Sequence, residues 1–143
     1  MKHLFLWMCL LLVVQQTVFS QAKEPWTNSQ LMATKTLADK ITSNQTKDLL
    51  VLNVGPDALI KGSIDIGAAH DAGSLQKLKD YLKNVKKDKA IVIYCGCCPF
   101  DRCPNVRPAF QTLMDMGFKN AKLLDVPKNL KVDWIDKQYP TVQ

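Results

Sequence analysis

Histidine is nearly absent from this chain: 143 residues hold two, His3 and His70. Glycine and proline are also sparse, at 6 and 7, which excludes a collagen-like or low-complexity chain. No apolar run exceeds eleven residues, too few to cross a bilayer, so the sequence is not a membrane bundle. It has no internal repeat and no second domain. Cysteine is missing between Cys9 and Cys95, and four of the five cysteines then fall within nine residues, Cys95 to Cys103. With 47% apolar and 22% charged residues, the composition is that of one soluble globular domain.

The one long apolar run, Leu4 to Val14, follows Met1-Lys2-His3 and precedes small residues at Ser20 and Ala22. That order is the n-region, h-region and cleavage site of a secretory signal, so residues 1–22 are expected to be a signal peptide and 23–143 the mature domain. The protein is then exported, periplasmic or secreted, with no stable membrane insertion after cleavage. Its four remaining cysteines enter a compartment where disulfides persist.

Along the mature chain, apolar spacing predicts a short helix after Thr34 or Thr36, a strand over Leu49 to Val54, and a short strand over Ser63 to Ile66. A helix follows over Ser74 to Val85, carrying Leu75, Leu78, Leu82 and Val85 on one face. Ala90 to Tyr94 is the strongest strand signal, uninterrupted and rich in β-branched residues. Val106, Phe110, Leu113 and Met114 mark a helix that Gly117 ends; Lys122 to Val126 is a strand, and Asp133 to Gln138 a closing helical turn. Strands alternating with helices give an α/β fold, a mostly parallel central sheet with helices on both faces.

Ligands of such sheets bind beyond the carboxyl ends of the strands, and Cys95 follows Tyr94 at that place. Backbone N–H groups of the loop, with Arg102 or Arg107 nearby, are expected to stabilise a Cys95 thiolate and lower its pKa. His70 is the only histidine available to pair with a cysteine, with Asp71 beside it; the loop composition of Gly67 to Gly73 favours an ordinary surface histidine. The basic run Lys83, Lys86, Lys87 and Lys89 has no interleaved aromatics and reads as a solvated helix end, so no nucleic-acid partner is expected.

The ordered set Ile91-Val92-Ile93-Tyr94-Cys95, Arg107-Pro108-Ala109, Leu113 and Gly117-Phe118 resembles the rhodanese-like sulfurtransferase family. Leu49 to Val54, Ile60 to Gly67, Trp134 and Tyr139-Pro140 extend the likeness over most of the mature chain. Tyr94-Cys95-Gly96-Cys97-Cys98-Pro99 with Cys103-Pro104-Asn105 is similar to a secreted subgroup with a cysteine-rich active loop. The resemblance implies a rhodanese-like fold and no organic cofactor. It also implies that Cys95 accepts a sulfane sulfur from a small sulfur-containing anion or a protein thiol partner and becomes a persulfide. Gly96, Arg102 and Arg107 are then the candidate substrate-binding residues.

Counting back from Gly117-Phe118 puts the place of the family's closing arginine on Asn105, with a loop about five residues longer than usual. Cys97 and Arg102 also satisfy the family's four-residue spacing, so Cys97 is a rival nucleophile. Asn53 and Gly55 stand where the family often has an acidic residue and an arginine. Cys97, Cys98 and Cys103 are candidate resolving or redox thiols, Cys98 through its Cys95-x-x-Cys98 spacing. The alternative is a non-catalytic module whose loop cysteines form structural disulfides, the Cys97–Cys98 pairing being least favoured, or bind a soft metal. Four cysteines this close fit zinc-site spacing poorly, and no metal ligand is assigned.

Overall fold

The strands that carry the site are those whose apolar runs leave no polar face. In the computed structural model, which describes residues 24–142, Ala90–Tyr94 (β4) lies between Leu49–Asn53 (β2) and Ala121–Asp125 (β5). The signal peptide expected over residues 1–22, with Cys9, lies outside the described residues. Two short strands complete the sheet: Leu31–Ala33 (β1) beside β5, and Ile64–Asp65 (β3) beside β2, in the order β1-β5-β4-β2-β3. Every pairing is parallel. The domain is therefore α/β with a five-stranded, all-parallel sheet and helices on both faces, as its alternating pattern predicts.

Chain direction across the sheet decides which face each helix covers, because parallel crossovers keep one hand. From β1 the chain moves over β5 and β4 to β2 through Thr34–Thr42 (α1). It returns through Ala72–Leu82 (α2) to β4 and through Val106–Asp115 (α3) to β5. Accordingly α1, with Leu37 and Ala38, packs with Val51, Val92, Tyr94, Leu124 and Trp134 on one face. Leu78 and Leu82 of α2 and Val106, Ala109, Phe110 and Leu113 of α3 pack with Leu52, Ile91, Ile93 and Leu123 on the other. Alternate residues of one strand thus enter two separate cores, which is why β4 reads as a continuous apolar run.

The structure departs from the expected elements at their ends. The helix expected after Thr34 or Thr36 is α1, but the strand β1 just before it is not among the expected elements, since three residues are too few to display strand alternation. α2 begins two residues before Ser74 and ends at Leu82. α3 ends as predicted: Gly117 has φ +84, its N–H donates to Met114 O at 2.9 Å, and the Phe118 N–H donates to Leu113 O at 3.0 Å. Glycine is needed there because the left-handed conformation strains a side-chain-bearing residue. Among the described residues no helix is long and apolar enough to cross a membrane.

Candidate functional site: four thiols beyond the central strand

β4 ends at Tyr94, so Cys95 leaves the sheet at its carboxyl edge, and its side chain continues the face occupied by Ile91 and Ile93. It is 2% exposed. Gly55, just past β2, explains how the sulfur fits: a Cβ there would stand 2.6 Å from Cys95 Sγ. Gly96 is held closely as well. Its carbonyl accepts the Leu130 N–H at 3.0 Å, and a Cβ on it would come within 2.9 Å of Leu130 Cβ.

Pro99 then leads into a 3-10 turn, Phe100–Arg102, tied to the end of β5 by a bond from Phe100 N–H to Val126 O at 3.1 Å. The turn brings the chain back, so that Cys103 is buried beside Cys95. The Sγ atoms of Cys95, Cys97 and Cys103 lie within 4.8 Å of one another. Cys97 Sγ is 3.3 Å from Cys95 Sγ and 3.2 Å from Cys98 Sγ. All four are free thiols, and Cys97 is the exposed one. The sulfurs of Cys95, Cys97 and Cys103 are also the side chains of the site that could hold a soft metal ion; no histidine or carboxylate joins that group among the described residues.

The expected lowering of the Cys95 pKa is not what the geometry gives. A hydrogen bond to Cys103, followed by burial, pushes the Cys95 thiol well above its ordinary value. The Cys97 backbone N–H, the Cys97 thiol and the Asn105 amide oppose that shift without overcoming it. No arginine contributes, because the two arginines are placed elsewhere. Arg102 is exposed at the end of the 3-10 turn. Arg107 bonds to Glu24 at 2.6 Å through both its terminal nitrogens, donates to Asp101 O at 2.6 Å, and stacks 5.5 Å above the Trp26 ring. Its charge therefore fastens the start of the described chain rather than facing the thiols. Burial also raises the Cys97 thiol, and burial followed by the Cys97 contact pushes Cys98 up to about 11.

Sequence reasoning did not single out Asn105 as a site residue. Its side chain is 3% exposed and both amide atoms are engaged. Oδ1 accepts the His70 backbone N–H at 3.0 Å and pairs with His70 Nδ1 at 2.7 Å; Nδ2 donates to Cys95 Sγ at 3.5 Å. Because a backbone N–H can only donate, the oxygen must face His70 and the nitrogen must face the sulfur. His70 Nε2 in turn lies 3.2 Å from Asp71 Oδ1. The histidine favoured as an ordinary surface residue is exposed, and it is also linked to Cys95 through Asn105. The signal available was the alignment that put the closing arginine's place on Asn105.

Next to Cys97 a groove of about 240 Å3 opens between Pro56, Asp57 and Leu59 on one side and Leu130, Lys131 and Ile135 on the other, with Gly96 among its walls. Gly96 thus borders the space where a substrate meeting Cys97 would lie. A larger cavity of about 400 Å3 involves Leu49, Ala90 and Ala121, the first residues of β2, β4 and β5, at the opposite end of the sheet from the thiols.

No protein-family model and no curated protein matches the chain. Solved structures do match it. A cysteine-to-serine variant of EanB in complex with hercynine superposes with a TM-score of 0.57 over 80% of this chain, at 16% identity. A threonine-to-alanine variant with hercynine gives 0.59 over 85%, again at 16%. A NAD-dependent persulfide reductase from A. fulgidus covers 69% of the chain at 20% identity with a TM-score of 0.39, too loose to argue from. The chain spans 27% and 29% of the two EanB chains, and at this identity the likeness is one of fold.

Proposed function

We propose that the protein is an exported, rhodanese-like sulfur-carrying enzyme that takes a sulfane sulfur from a small anion such as thiosulfate, or from a protein partner, and holds it as a cysteine persulfide. The observation that carries this reading is the gathering of four free thiols beyond the central strand, with one of them, Cys97, exposed beside a groove. A thiolate attacks the outer sulfur of thiosulfate, the S–S bond breaks, and sulfite leaves with the electron pair. No external base is needed beyond what deprotonates the thiol.

Cys95 occupies the position that the family likeness marks, but at 2% exposure a donor must move the loop to reach it. Cys97 reaches solvent without such a movement, so the persulfide forms first on Cys97. The test is intact mass and sulfite release after anaerobic mixing of the reduced protein with thiosulfate, across the four Cys→Ser variants. Cys97→Ser abolishes sulfite release. Should Cys95→Ser abolish it while Cys97→Ser does not, the entry residue is Cys95. Four cysteines blocked in protein from its native compartment, and not restored by mild reductant, would defeat the enzyme reading.

A further inference from the structure

A persulfide on Cys97 would have two sulfurs in different surroundings. The inner one is the present Cys97 Sγ, in contact with Cys95 Sγ at 3.3 Å. The outer one extends from an exposed side chain that borders the groove. A neighbouring thiol that attacks the outer sulfur merely moves it to another cysteine. One that attacks the inner sulfur forms a disulfide and expels the outer atom as sulfide. The contact in the structure is with the inner sulfur.

We propose that Cys95 is the resolving thiol of this loop and that the protein releases sulfide: Cys95 attacks the inner sulfur of a Cys97 persulfide, giving a Cys95–Cys97 disulfide and hydrosulfide. The step rests on the persulfide reading above. Its balance is complete without any further reagent. The Cys95 S–H and the Cys97 S–S bonds break, the Cys95–Cys97 bond forms, and the Cys95 proton leaves on the hydrosulfide. The two cysteine sulfurs lose two electrons, which reduce the sulfane sulfur to sulfide. Repeated turnover requires an external dithiol, small or on a protein, to reopen the disulfide by exchange.

The placement of the two residues suits this division of labour. An exposed thiol meets the donor, and a buried one, shielded from competing donors, waits beside it. Cys98 also touches Cys97, at 3.2 Å, but its bridge to an adjacent residue would have to span α-carbons about 3.8 Å apart, below the usual disulfide window of about 4.4–6.8 Å. Cys103 is within 4.8 Å of both but buried, so it does not meet the donor, and its sulfur makes no contact with Cys97 as close as the 3.3 Å between Cys95 and Cys97.

The experiment uses the reduced full chain, freed of reductant under anaerobic conditions and given one equivalent of thiosulfate; sulfite, sulfide and intact mass are then measured. Wild-type protein is expected to yield sulfite and sulfide in equal amounts and to lose two hydrogens. Cys95→Ser and Cys95→Ala are expected to yield the same sulfite and no sulfide, and to gain one sulfur atom. Two variants guard against a folding artefact, and near-ultraviolet circular dichroism checks the fold of each. If wild type releases sulfite but keeps the sulfur, the proposal falls while the persulfide reading stands. If Cys98→Ser or Cys103→Ser stops sulfide release and the Cys95 variants do not, Cys95 is not the resolving thiol. If wild type releases no sulfite, the persulfide reading falls and takes the proposal with it.

Discussion

Replacing Asn105 by alanine tests whether the link from His70 to Cys95 is part of the site or a by-product of packing. The change removes two bonds to Oδ1, from the His70 N–H at 3.0 Å and His70 Nδ1 at 2.7 Å, and one from Nδ2 to Cys95 Sγ at 3.5 Å. The exposed imidazole can turn to water at little cost. The backbone N–H of His70 loses its partner in a half-buried place, a loss of about 1–3 kcal/mol, and a void replaces the buried amide. We expect a total near 2 kcal/mol, which lowers the midpoint of thermal unfolding by roughly 8 °C at about 4 °C per kcal/mol for a domain of this size.

Packing alone would produce a stability loss, so a second readout separates the two cases. The Asn105 amide is one of the groups that draw the Cys95 pKa down against the larger upward effects of Cys103 and burial. Without it the pKa rises further, so site-resolved alkylation of Cys95 has a higher pH midpoint and is slower at any pH below that midpoint. Asn105→Asp sharpens the distinction. It keeps an acceptor for His70, and therefore more of the stability, but puts an acceptor where the sulfur needs a donor. It should melt closer to wild type than Asn105→Ala does and still show slow Cys95 alkylation. If both variants alkylate at the wild-type rate, the amide does nothing for the thiol and the reasoning fails.

Gly55→Ala places a Cβ 2.6 Å from Cys95 Sγ and 3.3 Å from Cys95 Cα, so we expect overpacking of about 1–3 kcal/mol in urea unfolding, with an unchanged midpoint refuting the close approach. Arg107→Ala should weaken the fold by about 1 kcal/mol or less, an effect that shrinks at high salt because the pair with Glu24 is more than a third exposed, and should leave the apparent KM for thiosulfate unchanged. Arg102→Ala removes an exposed charge at the end of the 3-10 turn and should change neither the melting temperature nor that KM; a raised KM would show that Arg102 reaches the donor after all. Cys98, pushed up to about 11, is expected to react with iodoacetamide ever faster as pH rises from 8 to 11, and a rate already level at pH 8 would show that burial does not hold its proton.

What the sequence displayed and what it hid divide along chain distance. Ala90 to Tyr94 announced both a central strand and its exit point, because an apolar run buried on two faces leaves no ambiguity about which strand Cys95 follows. Gly117 likewise declared the end of α3 through a local backbone requirement. Arg107 showed only a charge near the loop; its partner Glu24 stands 83 residues earlier, and nothing in the local pattern points to it. Asn105 presents itself as a helix cap, yet its side chain makes no capping bond and turns to His70 and Cys95 instead. β1 was too short to show a period at all.

Chain distance also hid what raises the Cys95 pKa. A cysteine followed by a loop and a helix start suggests a cradle of N–H groups. Here the residues after Cys95 do something else. Pro99 opens the 3-10 turn, the Cys103 N–H bonds back to Phe100 O at 3.3 Å, and Cys103 arrives against Cys95 from the far end of the loop. The loop therefore gathers a cluster of thiols in which the first cysteine is buried and its thiol is pushed up. On the proposal above, such a cysteine is a poor entry point for an anionic donor; what suits it to act second, once deprotonated, is its 3.3 Å contact with the sulfur of the exposed Cys97.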